Sequence, residues 1–470
     1  MKLRRAGALG AVALGSALAA LALTRLWIPG KLFQQVEETT LDWRSQARPS
    51  RPPGESPVVL VMFDSASVAE WPYLAPFPRG VLAELVEVVR RSGARAIGVD
   101  VLLDRRYPAL DSLDGGEARL RGALRRAGNV VLVSITEDAG AGRVHLPPDP
   151  FFASVAAGVG VADLPTPYEP VRDGALAVDA GGRLHPGFAT TLYALATGGS
   201  ADSLLARAAA EGRFRFPGLA ERWSRLPRRG TAAAVPLLFR GPPSRPGHND
   251  RAFLAFSAAD LLALGDAVPP EWFAGKVVLL GSGFHAEDRF RTPHYADNPD
   301  AGERGKLAGW TYGVELHATL LENLLTGSFP RALPGWAVGA LLLGVALAAA
   351  AATFGAGIAW GATAALGLAL LNAGVAFWAF GAHALVLPVA APALAAALAF
   401  AGATSWVSIV EGREKRVIRA AFSRYLAPAL VDELVDDPSR LRLGGEKRSV
   451  SILFCDLEGF TALAETRDPH

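Results

Sequence analysis

The stretch Val58-Val59-Leu60-Val61-Met62-Phe63-Asp64, with the segments RGVLAELVEVVRR (79–91) and AIGVDVLL (96–103) that follow it, decides the fold. An unbroken apolar run without polar alternation reads as a strand buried on both faces. Leu82, Leu85, Val86 and Val89 then repeat at helical spacing, and Gly93 supplies the stop. Strand, helix and strand make a βαβ unit. Working outward, further strands are expected at Val130–Ile135, Val235–Phe239 and Lys276–Gly281, with helices near 188–197, 257–264 and 313–326. Ser257 followed three residues later by Asp260 is a helix-start signature. The alternation predicts an α/β domain with a largely parallel sheet. Residues 105–125 and the Pro-rich stretch 240–250 carry no sharp pattern and read as loops.

At 470 residues the chain exceeds what one core usually holds, and about three units are expected. Gly 50 and Pro 33 make 83 of 470, too few for a disordered or collagen-like chain. Lys+Arg 47 against Asp+Glu 45 leaves +2, so no general basic field exists to hold nucleic acid, which is excluded as a partner. The apolar residues are concentrated at two places, as a lipid bilayer demands.

Residues 6–26 form the first expected span, preceded by Lys2, Arg4 and Arg5 in a short cytoplasmic N-terminus, 1–5. A cleaved signal peptide is the alternative, since Ala17 and Ala19 resemble a cleavage pattern. From Leu333 to Val410 there is no Asp, Glu, Lys or Arg, which leaves room for spans at 335–354, 357–379 and 385–409, with turns near Phe354–Gly357 and Phe380–His383. His383 reads as an exposed turn residue. Basic residues after the last span, Arg413, Lys415, Arg416, Arg419 and Arg424, place both termini on the cytoplasmic side and residues 31–332 outside. Cys455 is the sole cysteine and falls on the cytoplasmic side, so the outer domain relies on an ordinary core rather than disulfides.

Ligands of parallel sheets gather at the carboxyl ends of strands, which points to Asp64, Asp100 and the Gly281-Ser282-Gly283 turn as a sensory site. The competing roles are a helix cap or turn closure for the two carboxylates and tight-turn geometry for the glycines. Glu315 and His317 share a helix with Leu316, Leu320 and Leu324, and His317 reads as structural.

The linker 411–447 turns charged, with Ile418, Phe422 and Tyr425 on one helical face, suited either to pairing with a second copy or to packing on the next domain. From 448 to 470 a run Ser449–Cys455 reads as a buried strand ending at Asp456, then a turn through Gly459 and a helix start. A carboxylate at a strand end suits Mg²⁺, and the N–H groups opening a helix suit a polyphosphate.

The runs VVLVMFDSASVAEWPY, GARAIGVDVLL, FAGKVVLLGSGFHAEDRFRTPHY and GVELHATLLENLLTG occur in the order seen in the second type of CHASE sensory domain, and residues 31–410 resemble that module with its flanking spans. The segment LGGEKRSVSILFCDLEGFTALAE resembles the opening of the class III adenylate and guanylate cyclase domain, an α+β ferredoxin-like fold. Phe454, Asp456, Leu457, Gly459, Phe460 and Thr461 match its Phe-x-Asp-(Ile/Leu)-x-Gly-Phe-Thr pattern; Glu458 stands where many relatives have Arg. The resemblance implies that Asp456 and the Leu457 carbonyl ligate two Mg²⁺ or Mn²⁺ ions. Gly459, Phe460 and Thr461 would contact the triphosphate of ATP or GTP, in a site completed by homodimerisation. It implies a bacterial inner-membrane cyclase driven by an unknown extracytoplasmic signal. The rest of the family's site would lie beyond His470, so this chain alone is expected to be inactive, as a fragment or a degenerate sensor. The alternative is a non-catalytic receptor that signals through partners.

Overall fold

The computed structural model describes residues 2–411 except 26, 70, 74, 110, 112–114, 141, 165–169, 229, 285–287 and 298–309, and beyond them 413, 449, 451–455 and 458. Contacts divide the chain into residues 1–402 and 403–470.

The first unit opens with two helices, α1 (Lys2–Leu23) and α2 (Trp27–Gln46). Strand β1 (Val58–Phe63) is buried at all six positions, as its unalternating sequence requires. A short helix, Ser65–Ala69, follows, then α3 (Arg79–Arg91), whose Leu82, Leu85, Val86 and Val89 are buried. Next come β2 (Ala96–Asp100), α4 (Gly116–Ala127), β3 (Val130–Asp138), β4 (Arg143–Leu146) and β5 (Gly158–Val161). The chain then builds β6 (Asp173–Ala180), β7 (Arg183–Pro186), α5 (Phe188–Ala196), α6 (Ala201–Glu211) and β8 (Ala232–Pro236). It returns through β9 (Ala255–Ser257), α7 (Ala258–Leu264), β10 (Val277–Ser282) and α8 (Gly313–Thr326).

Seven strands form one sheet in the order β4-β3-β2-β10-β1-β9, with β5 also on β3. Every pairing is parallel except β3 with β4. The first βαβ unit is therefore real, but β10 inserts between its strands, pairing Val58 with Val277 on one side and Val277 with Ala96 on the other. Adjacent residues of β1 feed opposite cores. Val59, Val61 and Phe63 pack with α3, α4 and α7, whereas Val58, Leu60 and Met62 pack with α5 and α8. Outside that second layer lies a three-stranded antiparallel sheet, β7-β6-β8.

Several expectations shift. The strand at 235–239 occupies 232–236. Much of 105–125, read as loop, belongs to α4, because Leu120, Ala123 and Leu124 make a buried stripe hidden in sequence by the helix's four arginines. The stretch 240–250 has no regular structure yet is no loose loop, since Arg240 and Ser244 are buried.

Among the described residues four helical stretches are long and apolar enough to cross a membrane: α1, α9 (Gly335–Ala356), α10 (Ile358–His383) and Ala390–Ile409, which begins with α11 (Ala390–Trp406). The turn expected at 380–383 is helical. Helix α10 runs on to His383 and stops at Ala384, in the left-handed region, and the chain crosses to α11 through Leu385–Val389. In the second unit, the strand expected over Ser449–Cys455 is not formed among its described residues. Ile452, Leu453 and Phe454 are 71%, 90% and 91% exposed, because no described residue offers them a neighbouring strand.

Candidate functional site

The carboxyl edge of the sheet is where β1, β2 and β10 end, at Phe63, Asp100 and Ser282. Asp64 is committed locally: its carboxylate accepts from the Ser67 N–H at 2.9 Å and the Ser67 hydroxyl at 2.7 Å, capping the helix that follows. Gly281 and Ser282 belong to β10 rather than to a turn, and the Gly283 N–H is taken up by the Phe63 carbonyl at 2.9 Å. Gly281 serves packing, since a Cβ there would lie 2.5 Å from that of Val314 at the start of α8. Glycine at this position permits a close helix-on-sheet seat.

Asp100 lies against a second acid. It pairs in register with Gly281 and faces Asp288, a residue that sequence reading passed over because nothing local distinguishes it. Burial pushes both carboxyls well above their ordinary range, and Asp288 is pushed further by Asp100. The Gly313 N–H at the head of α8 donates to Asp288 and opposes this in part. A side chain at Gly313 would collide with the Asp288 carboxylate, so glycine is what lets the acid sit against the helix start. Two such groups cannot both ionise cheaply, so the pair holds a proton near neutrality.

The helix that carries this contact, α8, is buried from Gly313 to Leu324 although it contains four strongly polar residues. Each is held. The Glu315 carboxylate accepts from the Ser244 N–H at 2.9 Å, and burial still raises its pKa to about 7. Desolvation lowers the His317 imidazole to about 4, and its ring donates to the Ala162 carbonyl. His317 is structural, as expected, and meets Phe188 edge-on at 5.4 Å. Glu322 pairs with Arg240, and the Asn323 amide exchanges two hydrogen bonds with the Leu238 backbone, at 2.8 and 3.1 Å. The stretch that begins at Arg240 is therefore the clamp on α8.

Helix α8 leads directly toward the apolar helices. Past it, Arg331–Ala332 pairs with Leu385–Val386 between α10 and α11. Helix α2 reaches the same place: the Glu37 carboxylate accepts from the Val389 and Ala390 N–H groups at 2.8 Å, and Arg44 donates to the Leu387 carbonyl at 2.9 Å. From the neighbouring face of the same helix Asp42 and Glu38 hold Arg172 of the outer domain, at 2.7 and 3.2 Å. Two helices thus connect the α/β domain to the turn between α10 and α11.

Residues 16–352 match the CHASE2 domain, well over half of the chain. The chain belongs to the CHASE2 family. CHASE2 is a sensory domain, so the α/β unit and its junction to the apolar helices form the receiving part of a membrane protein. Among curated proteins and among solved structures nothing matches the chain. Asp456, Leu457, Gly459, Phe460 and Thr461 lie outside the described residues. Among the described residues no group of three or more His, Cys, Asp or Glu could hold a metal ion.

Proposed function

We propose that this CHASE2 protein is the receptor portion of a bacterial inner-membrane cyclase, with residues 31–332 outside, four spans and both termini cytoplasmic. The observation that carries the sensory half is the family match, with the domain lying between one apolar helix and three more. The basic residues flanking the outermost spans support the orientation. The output reading rests on the sequence around Asp456. There Asp456 and the Leu457 carbonyl would hold two Mg²⁺ or Mn²⁺ ions, while Gly459, Phe460 and Thr461 would bind the triphosphate of ATP or GTP. Such ions, when bound, supply charge stabilisation for attack of the ribose 3′-oxygen on the α-phosphorus with release of pyrophosphate. A second copy of the chain would complete the site.

The test begins with the reading frame beyond His470, where a second metal-binding carboxylate is expected in the next strand and loop. In the full-length protein, Asp456→Ala should abolish cyclic nucleotide formation in isolated membranes while insertion is unchanged. Undiminished turnover would remove Asp456 from the metal site, and a continuation unlike a cyclase would leave a receptor that signals through partners.

A further inference from the structure

A cavity of about 320 Å³ lies away from the acid pair, where β3, β4 and β5 meet β7, α5 and the head of α6. Its floor contains Ser134, fully buried, whose hydroxyl has no hydrogen-bond partner. A buried hydroxyl left unpaired is costly, and natural folds rarely tolerate one without a reason. His145 and His185 stack in its wall with centroids 3.9 Å apart and planes 26° apart. Arg183 lies beside them, and Asp202, in the first turn of α6, lines the same space. Both are exposed and, among the described residues, neither has an ion pair, so the cavity offers a bound molecule one charge of each sign. The first turn of a helix also carries N–H groups without intrahelical partners.

We propose that this cavity binds a small zwitterion of the α-amino-acid class, its carboxylate facing Arg183 and the histidine pair, its ammonium facing Asp202, and Ser134 donating to or accepting from it. The volume suits one small polar molecule with room for a short side chain. Occupancy is placed to be felt by the spans: Thr191 and Leu195 of α5 line the cavity, and Phe188 of the same helix abuts His317 of α8. Burial lowers both imidazoles below their ordinary range, helped by His185 and Arg183 at His145 and by Arg183 at His185. Asp163 acts on His145 in the opposite sense, as do Asp179 and the Ala180 carbonyl on His185. A bound carboxylate would favour protonation, so binding should take up protons and tighten as pH falls toward the free imidazole values.

This inference rests on the sensory reading but not on the cyclase one, because it is read from binding to the chain itself. The experiment is calorimetry on the full chain in lipid nanodiscs with the twenty protein amino acids, propionate and ethylamine as probes, in buffers of different ionisation enthalpy. At least one amino acid should bind with proton uptake, and propionate and ethylamine should bind at least about tenfold more weakly. Ser134→Ala should leave the free chain as stable or more so and weaken binding about tenfold, and Arg183→Gln should do the same to affinity. Asp202→Asn should narrow the gap between alanine and propionate. No binding by any amino acid at millimolar concentration, propionate binding as tightly as alanine, or affinity indifferent to Ser134→Ala and Arg183→Gln would each overturn the proposal. None of these results touches cyclic nucleotide output.

Discussion

Two runs of this chain look alike on paper: Val58–Phe63 closed by Asp64, and Val450–Cys455 closed by Asp456. The first is buried at every position between β10 and β9. Of the second, the described residues stand open to solvent without a ladder partner. Apolar content states what a segment would gain by burial, but a strand exists only through its neighbours, because its backbone groups are satisfied by other strands. In β1 those neighbours come from residues about two hundred positions away, and they are present. The lesson is that the same local signal carries different weight according to what the rest of the unit supplies.

The contrast predicts sharply unequal responses to substitution. The largest should come from the clamp that keeps α8 seated against β1 and β10. Arg240→Ala leaves Glu322 buried without its cation, and burial already raises that carboxyl despite the arginine. A loss of about 3–5 kcal/mol is expected, measurable as a lowered midpoint in denaturant for the detergent-solubilised chain. A loss below about 1 kcal/mol would mean that Arg48 or Arg51 compensates and that α8 is less firmly held than its burial implies. Next in size is β1 itself. Leu60→Ala removes a fully buried side chain from the core facing α5 and α8, for about 2–5 kcal/mol.

How far the sequence revealed this arrangement depends on where the information lay. Strands β1, β2, β3 and β10 and helices α3, α5, α7 and α8 were legible because their burial is written as apolar runs or helical stripes. Strand β6, DGALAVDA, was not, since alanine and aspartate carry little strand signal and its partners β7 and β8 supply the order. Strand order was hidden as well: that β10 enters between β1 and β2 is a long-range fact. At the site, Asp100 was found through its position at a strand end, whereas Asp288 was invisible because only the fold brings it to Asp100. Arg240 and Ser244 were missed for the same reason, their partners Glu322 and Glu315 being some seventy to eighty residues distant.

A smaller effect should separate the two closing aspartates of the parallel sheet. Asp64 is a cap, while Asp100 is one of a pair raised by burial. A carboxyl whose folded pKa lies above its unfolded value stabilises the fold fully below the ordinary carboxylate range, and that contribution fades as pH rises through the folded value. The wild-type chain should therefore lose stability from about pH 4 toward about pH 8 relative to Asp100→Asn. Each unit of displacement is worth about 1.4 kcal/mol, so between the lower and the upper pH the stability difference should move in the variant's favour by at least about that amount. Melting curves of both chains across this range test it; a constant difference would show that the Asp100–Asp288 pair titrates normally.

The smallest effect is expected where the second apolar run lies. Leu453 is 90% exposed, so Leu453→Ser removes almost nothing from a core and should change stability by less than about 0.5 kcal/mol in this chain. The same substitution in a protein that continues past His470 is a different experiment. If a sheet forms there, Leu453 becomes an interior strand residue and its loss should cost as much as that of Leu60, about 2–5 kcal/mol. A large effect in both chains would show that the run is packed without further strands, and no effect in either would remove the strand on which the position of Asp456 depends. One leucine, measured in two lengths of the same chain, thus decides whether the likeness between the two runs is structural or only compositional.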